Sequence, residues 1–218
     1  MSTHEHDHDH DSDHEHEHEH EHEHEHEHEH EVAGEETTEE AQRAAERELR
    51  KRIALSQVRQ YGDPVLRMRA NEVETFDSEL ERLVERMTAL MHDADGVGLA
   101  ATQVGVARRC FVFQHDGVDG VLVNPVIAKS GGEPDLDEEG CLSLGTVRVP
   151  VERATEVVIE GKDASGSDVR YELDGMGARI VQHELDHLDG VLIIDRTDPA
   201  SRKEALSKLR PRLLLASR

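Results

Sequence analysis

Two histidines four residues apart constrain this chain more than any other feature, because they bear on both the structure and the chemistry of one segment. The segment is Gln182-His183-Glu184-Leu185-Asp186-His187. On a helix, side chains at i and i+4 lie on the same face, so His183 and His187 can bind one metal ion. Glu184 between them can handle the proton of a water molecule. The pattern favours a mononuclear metallohydrolase.

The class of such a site depends on its third ligand. The metzincin pattern requires a third histidine at position 193, which is Ile193, and a thermolysin-like site requires a glutamate on a following helix. Glu204 is the nearest candidate, but it lies in a Lys- and Arg-rich segment typical of a solvated face. Cys141 follows a glycine and an acidic run, a setting that does not favour core packing. We therefore expect Cys141 to be the third ligand, as a thiolate.

Composition divides the chain near residue 40. Residues 1–40 contain 13 of the 17 histidines, 18 of the 49 acidic residues and no Lys or Arg. The remaining residues carry 25 basic and 31 acidic side chains, a net charge of −6 rather than the −24 of the whole chain. Dense like charge with little apolar surface to bury opposes folding. We expect residues 1–40 to form a disordered tail and residues 41–218 to form a single catalytic domain.

Several classes of protein are disfavoured by composition. Five aromatic residues, no Trp and no basic stripe argue against direct binding to nucleic acid. Two cysteines are too few for a disulfide framework, and Cys110 in an apolar run is interpreted as a buried hydrophobe. No apolar run has the length of a membrane span, and the N-terminus resembles neither a secretion signal nor a transit peptide. We expect a cytoplasmic protein that does not bind membranes.

Hydrophobic periodicity and turn residues predict an α+β fold in which antiparallel sheets surround a central metal-binding helix. Helices are predicted over 39–59, 76–94, 176–188 and 199–209, with Pro211 ending or kinking the last. Strands are predicted over 104–114, 121–127, 146–150, 155–161 and 168–173. Asp116-Gly117 and Asp119-Gly120 indicate a hairpin between the first two strands.

Three motifs, in this order along the chain, resemble the signature motifs of the peptide deformylases. They are Gly96-Val97-Gly98-Leu99-Ala100-Ala101-Thr102-Gln103, Glu139-Gly140-Cys141-Leu142-Ser143 and Gln182-His183-Glu184-Leu185-Asp186-His187. Weaker similarities extend the resemblance from about Ile53 to Asp198, and the tail lies outside it. The resemblance implies removal of the formyl group from the N-terminal methionine of newly made polypeptides. It also implies one divalent metal, usually Fe(II), with Zn, Ni or Co as substitutes.

The resemblance also implies roles for individual residues. Cys141, His183 and His187 would hold the metal, leaving one position for water, and Glu184 would act as general base and then as general acid. The side-chain amide of Gln103 and the backbone N–H of Leu142 would stabilise the oxyanion. Gln103 is alternatively an ordinary polar residue between a loop and a helix.

The implied substrate contacts lie along the same motifs. The backbone around Val97 and Gly98 would pair with an extended peptide, and a tight turn is the alternative explanation for the glycines. Val97, Met176 and Ile180 are candidates for the walls of the methionine pocket, or alternatively core residues. Two further residues are assigned to the substrate path, Gly140 and Arg148. Gly145 departs from the family, which commonly has proline there, and this puts rate and selectivity in doubt more than reaction type.

Implied partners are N-formylmethionyl nascent peptides and the ribosome. Residues 14–31 alternate His and Glu without interruption, which makes the tail a candidate for binding extra metal ions. A solubilising or engineered segment is the alternative. Two other functions stay open: a metal-buffering protein with a weakly catalytic domain, and a hydrolase of another N-acylated substrate. The presence of Glu184 and Gln103 argues against buffering alone, because metal storage requires neither.

Overall fold

The computed structural model describes residues 26–216, with side chains described for residues 38–210. The helices of this part of the chain are α1 (His26–Gln57), α2 (Ser78–Asp93), α3 (Gly175–Leu188), α4 (Ile193–Arg196) and α5 (Pro199–Ala216). Its strands are β1 (Gly98–Ala100), β2 (Cys110–His115), β3 (Val118–Gly131), β4 (Asp135–Gly140), β5 (Arg148–Arg153), β6 (Glu156–Lys162) and β7 (Asp168–Asp174). Short 3-10 helices lie at Pro64–Arg67, Ala101–Val104 and Leu142–Leu144.

The strands form one sheet of five strands, in the order β1-β2-β3-β6-β7, and a separate pair, β4-β5. Every neighbouring pair is antiparallel. Helices combined with antiparallel sheets confirm the predicted α+β class. The β2–β3 hairpin turns through Asp116 and Gly117, which both have positive φ (50° and 75°), as a two-residue primed turn requires. The predicted hairpin is thus correct, but Asp119-Gly120 lies inside β3.

Helix α3 packs against β1 and β2 of the larger sheet, and α2 packs against the same two strands. Two apolar clusters fill the core around these contacts, one containing Phe111, Ile159 and Val181, the other Met87, Leu99 and Val112. A third cluster joins β5 to α4 and α5. Because α3 is buried along its apolar face, the side chains of its second half are held in fixed positions beside β1.

Helix α1 begins at His26, so residues 26–40 are helical. This corrects the expectation that they belong to a disordered tail. Glu and Ala are strong helix formers, and the segment contains no proline, which accounts for the helix continuing upstream of residue 39. Residues 1–25 lie outside the described residues, and their expected disorder stays a prediction. The residues from Ala45 onward form one compact unit.

Several other elements differ from expectation, and neither β1 nor α4 was predicted. The strand expected over 104–114 is confined to β2, preceded by the 3-10 helix Ala101–Val104. Strand β4 was not predicted, because its acidic sequence has low β-propensity. Helix α5 does not end near Leu209 but continues through Pro211 to Ala216. Proline disfavours a helix interior, but the residues on both sides of it, Leu, Arg and Ala, are strong helix formers. Among the described residues, no helix is long and apolar enough to cross a membrane.

Candidate active site

Three potential metal ligands meet where the second half of α3 faces the end of β4. The ligand atoms of Cys141, His183 and His187 all lie within 4.8 Å of one another. Cys141 Sγ is 3.2 Å from Nε2 of His187, and the two imidazole rings are 5.0 Å apart between centroids. Helical spacing brings the two histidines together, as the sequence predicts, and β4 delivers the cysteine from 46 positions upstream of His187. One thiolate and two imidazoles form a donor set suited to Zn or Fe.

Glu139 fixes the orientation of His183. Its Oε2 accepts a hydrogen bond from Nδ1 of His183 at 2.9 Å, which leaves Nε2 of that ring to face the site. Burial alone would raise the pKa of Glu139, but hydrogen bonds from His183 and Arg153 outweigh it and lower the pKa to about 2. A carboxylate that is ionised at neutral pH behind a ligating histidine fixes the tautomer of that histidine and increases its basicity.

Two buried arginines hold Glu139 in turn. Arg153 donates to both carboxylate oxygens at 2.9 and 3.0 Å and also to Asp186 at 2.6 Å. Arg179 donates to Oε1 of Glu139 at 2.9 Å and to the Val151 carbonyl at 2.8 Å. These ion pairs link β4, β5 and α3, so the position of His183 depends on all three elements.

Electrostatics around the two histidines favour a positive charge between Glu139 and Cys141. Burial alone would lower the pKa of His183, but hydrogen bonding to Cys141 and Glu139 raises it well above its ordinary value. Burial, reinforced by the neighbouring His183 charge, lowers the pKa of His187 well below its ordinary value. His187 is therefore held neutral, the form that can bind a metal.

Glu184 lies beside this cluster with 4% of its surface exposed, and its Oε2 has no hydrogen-bond partner. Burial raises its pKa to about 7. Glu184 lies against β1, where a Cβ on Gly98 would be 2.3 Å from Oε1 of Glu184. A carboxyl group with a pKa near neutrality can both accept and return a proton.

The amide of Gln103 has a defined orientation. Its Oε1 accepts a hydrogen bond from the backbone N–H of Ala100 at 2.8 Å, so its NH₂ group faces the site. Nε2 lies 3.2 Å from Ser143 Oγ and 3.6 Å from Cys141 Sγ. Gln103 is 2% exposed. These contacts distinguish it from an ordinary loop residue, because both ends of the amide are used within the site.

A pocket of about 460 Å³ opens over these groups. It contains eleven of the twelve residues that the sequence assigned to the site, namely Val97, Gly98, Gln103, Gly140, Cys141, Leu142, Arg148, Met176, Ile180, His183 and Glu184. His187 lies behind them and is 1% exposed. Val97 and Met176 are half exposed, which fits a pocket wall better than core packing.

Residues 55–203 match the family model described as polypeptide deformylase. The chain belongs to the peptide deformylase family. Peptide deformylase 1 of Corynebacterium glutamicum is 46% identical over 162 residues, which cover 72% of this chain and 96% of that protein. The peptide deformylase of Acidothermus cellulolyticus is 49% identical over 158 residues, covering 72% of this chain and 87% of that protein. The crystal structure of the Thermotoga maritima peptide deformylase is 45% identical, with a TM-score of 0.63 over 65% of this chain and 97% of that chain.

Some residues in and around this pocket were not found from the sequence. Asp95, Glu138 and Arg179 line the pocket, and Arg153 and Asp186 support Glu139 and the helix from behind. Asp186 lies within the histidine motif. A charged residue at a buried helical position requires a partner, and this could have identified Asp186 as part of an ion pair behind the site. Arg153 and Arg179 carry no such signal, because isolated arginines on a strand and a helix are usually solvated.

Proposed function

We propose that this chain hydrolyses the formyl group of N-formylmethionyl nascent polypeptides, releasing formate and a free amine. The single observation that carries the proposal is the meeting, in one pocket, of the Cys141/His183/His187 cluster with Glu184 and Gln103. Membership of the deformylase family and relatives named peptide deformylase support the substrate class. Nascent chains are presented at the ribosome, so the ribosome stays a predicted partner and the cytoplasm the predicted location.

The family is metal-dependent, and the residues present fit one divalent ion. Cys141, His183 and His187 would hold it, since they combine mutual ligand distances below 4.8 Å with a site that favours positive charge. When bound, a divalent metal lowers the pKa of water to about 7 and polarises the formyl carbonyl. We propose Fe(II) as the native metal, by resemblance to the family, with Zn, Ni or Co as substitutes.

Glu184 is proposed to move the proton. It accepts a proton from the attacking water as the water oxygen bonds to the formyl carbon, and it returns that proton to the departing amine nitrogen as the C–N bond breaks. Its burial and the free Oε2 support both steps, because no protein donor competes for that oxygen.

The negative charge that develops on the formyl oxygen requires donors. We propose the Gln103 amide N–H and the Leu142 backbone N–H, each worth about 3 kcal/mol to the transition state. The fixed amide of Gln103 supports this assignment, since a donor already oriented requires no reorganisation during the reaction.

Substrate binding is proposed along β1 and β4. Strand β1 is an edge of the larger sheet, and within the described part of the chain β4 pairs only with β5. Backbone groups at Val97, Gly98 and Gly140 can therefore pair with an extended peptide. Val97, Met176 and Ile180 would contact the methionine side chain. Arg148 lies in the same pocket, where its guanidinium donates to the Glu138 carbonyl at 3.1 Å, and it would contact the peptide farther along.

Hydrolysis of formyl-Met-Ala-Ser by anaerobically prepared, Fe(II)-loaded protein tests the function. We expect saturable release of formate, with acetyl-Met-Ala-Ser as the matched substrate that a general N-acyl hydrolase would also cleave. Cys141→Ala should lose the metal of the folded unit together with activity. Full metal content in Cys141→Ala and in a His183/His187 double variant, each lacking the tail, would refute the ligand assignment.

The His-Glu alternation of the tail supports a second, accessory role. Imidazole is a ligand for Zn, Ni, Cu and Fe, so we propose that residues 14–31 bind extra metal ions and supply them to the enzyme. A protein devoted to metal buffering would bind ions through the tail and release no formate in the same assay.

A further inference from the structure

The backbone behind the proposed oxyanion donors is held by one short segment, Val58–Tyr61. The N–H of Arg59 donates to the carbonyl of Gln103 at 2.7 Å, and the N–H of Tyr61 donates to the carbonyl of Ser143 at 2.8 Å. Both proposed donor regions are therefore attached to the same four residues, which follow directly after α1.

Among the described residues, Gln60 makes the only side-chain hydrogen bond between this segment and Leu142. Its Nε2 donates to the carbonyl of Leu142 at 3.1 Å and to the carbonyl of Val58 at 3.2 Å. The amide thus bridges the segment and the first residue of the 3-10 helix Leu142–Leu144. Residue 142 is thereby held through its carbonyl, and Leu142 itself lines the pocket.

This attachment matters because the 3-10 helix ends on a glycine. Gly145 has φ of 66° and ψ of −118°, a conformation that proline cannot adopt because its ring fixes φ near −65°. The backbone beyond Leu144 therefore lacks the restraint that a proline at this position imposes, and glycine has more conformational freedom than any other residue. A restraint on Leu142 must come from its other contacts.

We propose that Gln60 is a positioning residue for the oxyanion hole. By holding the carbonyl of Leu142, and so the peptide that joins Leu142 to Ser143, it restrains residue 142 in the orientation in which its N–H serves as a donor, where Gly145 adds no rigidity. The inference rests on the proposed roles of Leu142 and Gln103. Gln60 contacts neither the pocket nor the proposed ligands, so it acts through Leu142. Its loss changes the stabilisation of the transition state and leaves the binding of the ground-state peptide unchanged.

The test is steady-state kinetics of full-length, Fe(II)-loaded Gln60→Ala and Gln60→Glu with formyl-Met-Ala-Ser. Gln57→Ala is the matched control, because Gln57 is also exposed, lies three residues upstream and forms one side-chain hydrogen bond, with Arg86 at 3.1 Å. We expect kcat of Gln60→Ala to fall about three- to tenfold, the equivalent in rate of one ordinary hydrogen bond, with KM within twofold of the wild type. Gln60→Glu should fall at least as far, since a carboxylate keeps the shape but cannot donate.

Inhibition by the product Met-Ala-Ser should be the same in all four proteins, and the thermal unfolding midpoints of the Gln60 and Gln57 variants should match. A kcat for Gln60→Ala equal to that of Gln57→Ala, or a rise in KM without a fall in kcat, would overturn the positioning role. So would a loss in Gln60→Ala that Gln60→Glu restores. Wild-type protein that releases no formate would instead refute the proposed function itself, so the two failures are distinguishable.

Discussion

Gly98 on β1 and Glu184 on α3 lie so close that no side chain fits between them: a Cβ at position 98 would be 2.3 Å from Oε1 and 2.9 Å from Cγ of Glu184. The added Cβ would overlap with Cγ of Glu184 as well as with its carboxylate. Glu184 is 4% exposed, so a methyl group at position 98 would have to push its side chain out of this buried position. A glycine is therefore required at position 98, because residue 98 on β1 is in direct contact with Glu184 on α3.

Gly98→Ala should reduce kcat by about 10²-fold or more, because the methyl group displaces the carboxylate proposed to transfer the proton. Formate release by the metal-loaded variant measures the effect. Gly131→Ala in β3 is the control, since a Cβ there makes only an ordinary contact, 3.5 Å from Glu156. Normal turnover of Gly98→Ala would mean that Glu184 can move without consequence.

Glu184→Gln should retain the metal and lose about 10²-fold or more in kcat, because the amide keeps the size of the side chain but cannot accept the proton. Metal content by elemental analysis and turnover should be measured on the same preparation. Glu138→Gln, at an exposed position on the pocket rim, is the matched control and should stay active. Near-normal turnover of Glu184→Gln would assign the proton transfer to another group.

Spacing within a short segment, which a sequence shows directly, predicted the helix of the two histidines. The resemblance of the motifs to those of the deformylases, and not spacing, implied other residues that line the pocket, such as Gln103, Leu142 and Arg148. The support of Glu139 by Arg153 and Arg179 was not predicted, because it depends on the pairing of β4 with β5, which aligns Glu139 with Val149. Strand β4 itself carries four acidic residues in six, and tertiary pairing overrides its low β-propensity.

The carboxylate of Glu139 should contribute to stability only above acidic pH. Its folded-state pKa is about 2 against an ordinary value of 4.5, so the folded form binds fewer protons than the unfolded form between these values. The stabilisation is therefore complete above about pH 5 and is lost as pH falls toward 2. The shift corresponds to about 3 kcal/mol of the free energy of unfolding, of which roughly 2 kcal/mol should be lost between pH 5 and pH 3.

Urea unfolding of metal-free protein at several pH values checks this. The free energy of unfolding of Glu139→Gln should be lower at pH 6 and should fall less steeply on acidification, since the amide does not titrate. Glu172→Gln on the exposed face of β7 provides the control and should follow the wild type. Equal pH dependence in wild type and Glu139→Gln would show that the buried ion pairs are not the origin of the acid sensitivity.

Removal of the residues before Ala41 should leave catalysis intact and slow the acquisition of metal. The deleted residues lie outside the matched region 55–203, whereas the alternating imidazoles and carboxylates of residues 14–31 are the proposed binding sites for extra ions. Truncated protein should show unchanged kcat with metal in excess and slower reactivation of metal-free enzyme when metal is scarce. The difference should vanish below about pH 6.5, where protonated histidines no longer bind metal. Lower kcat in saturating metal would indicate that the tail contacts the active site, and equal reactivation at every metal concentration would leave it no role in metal supply.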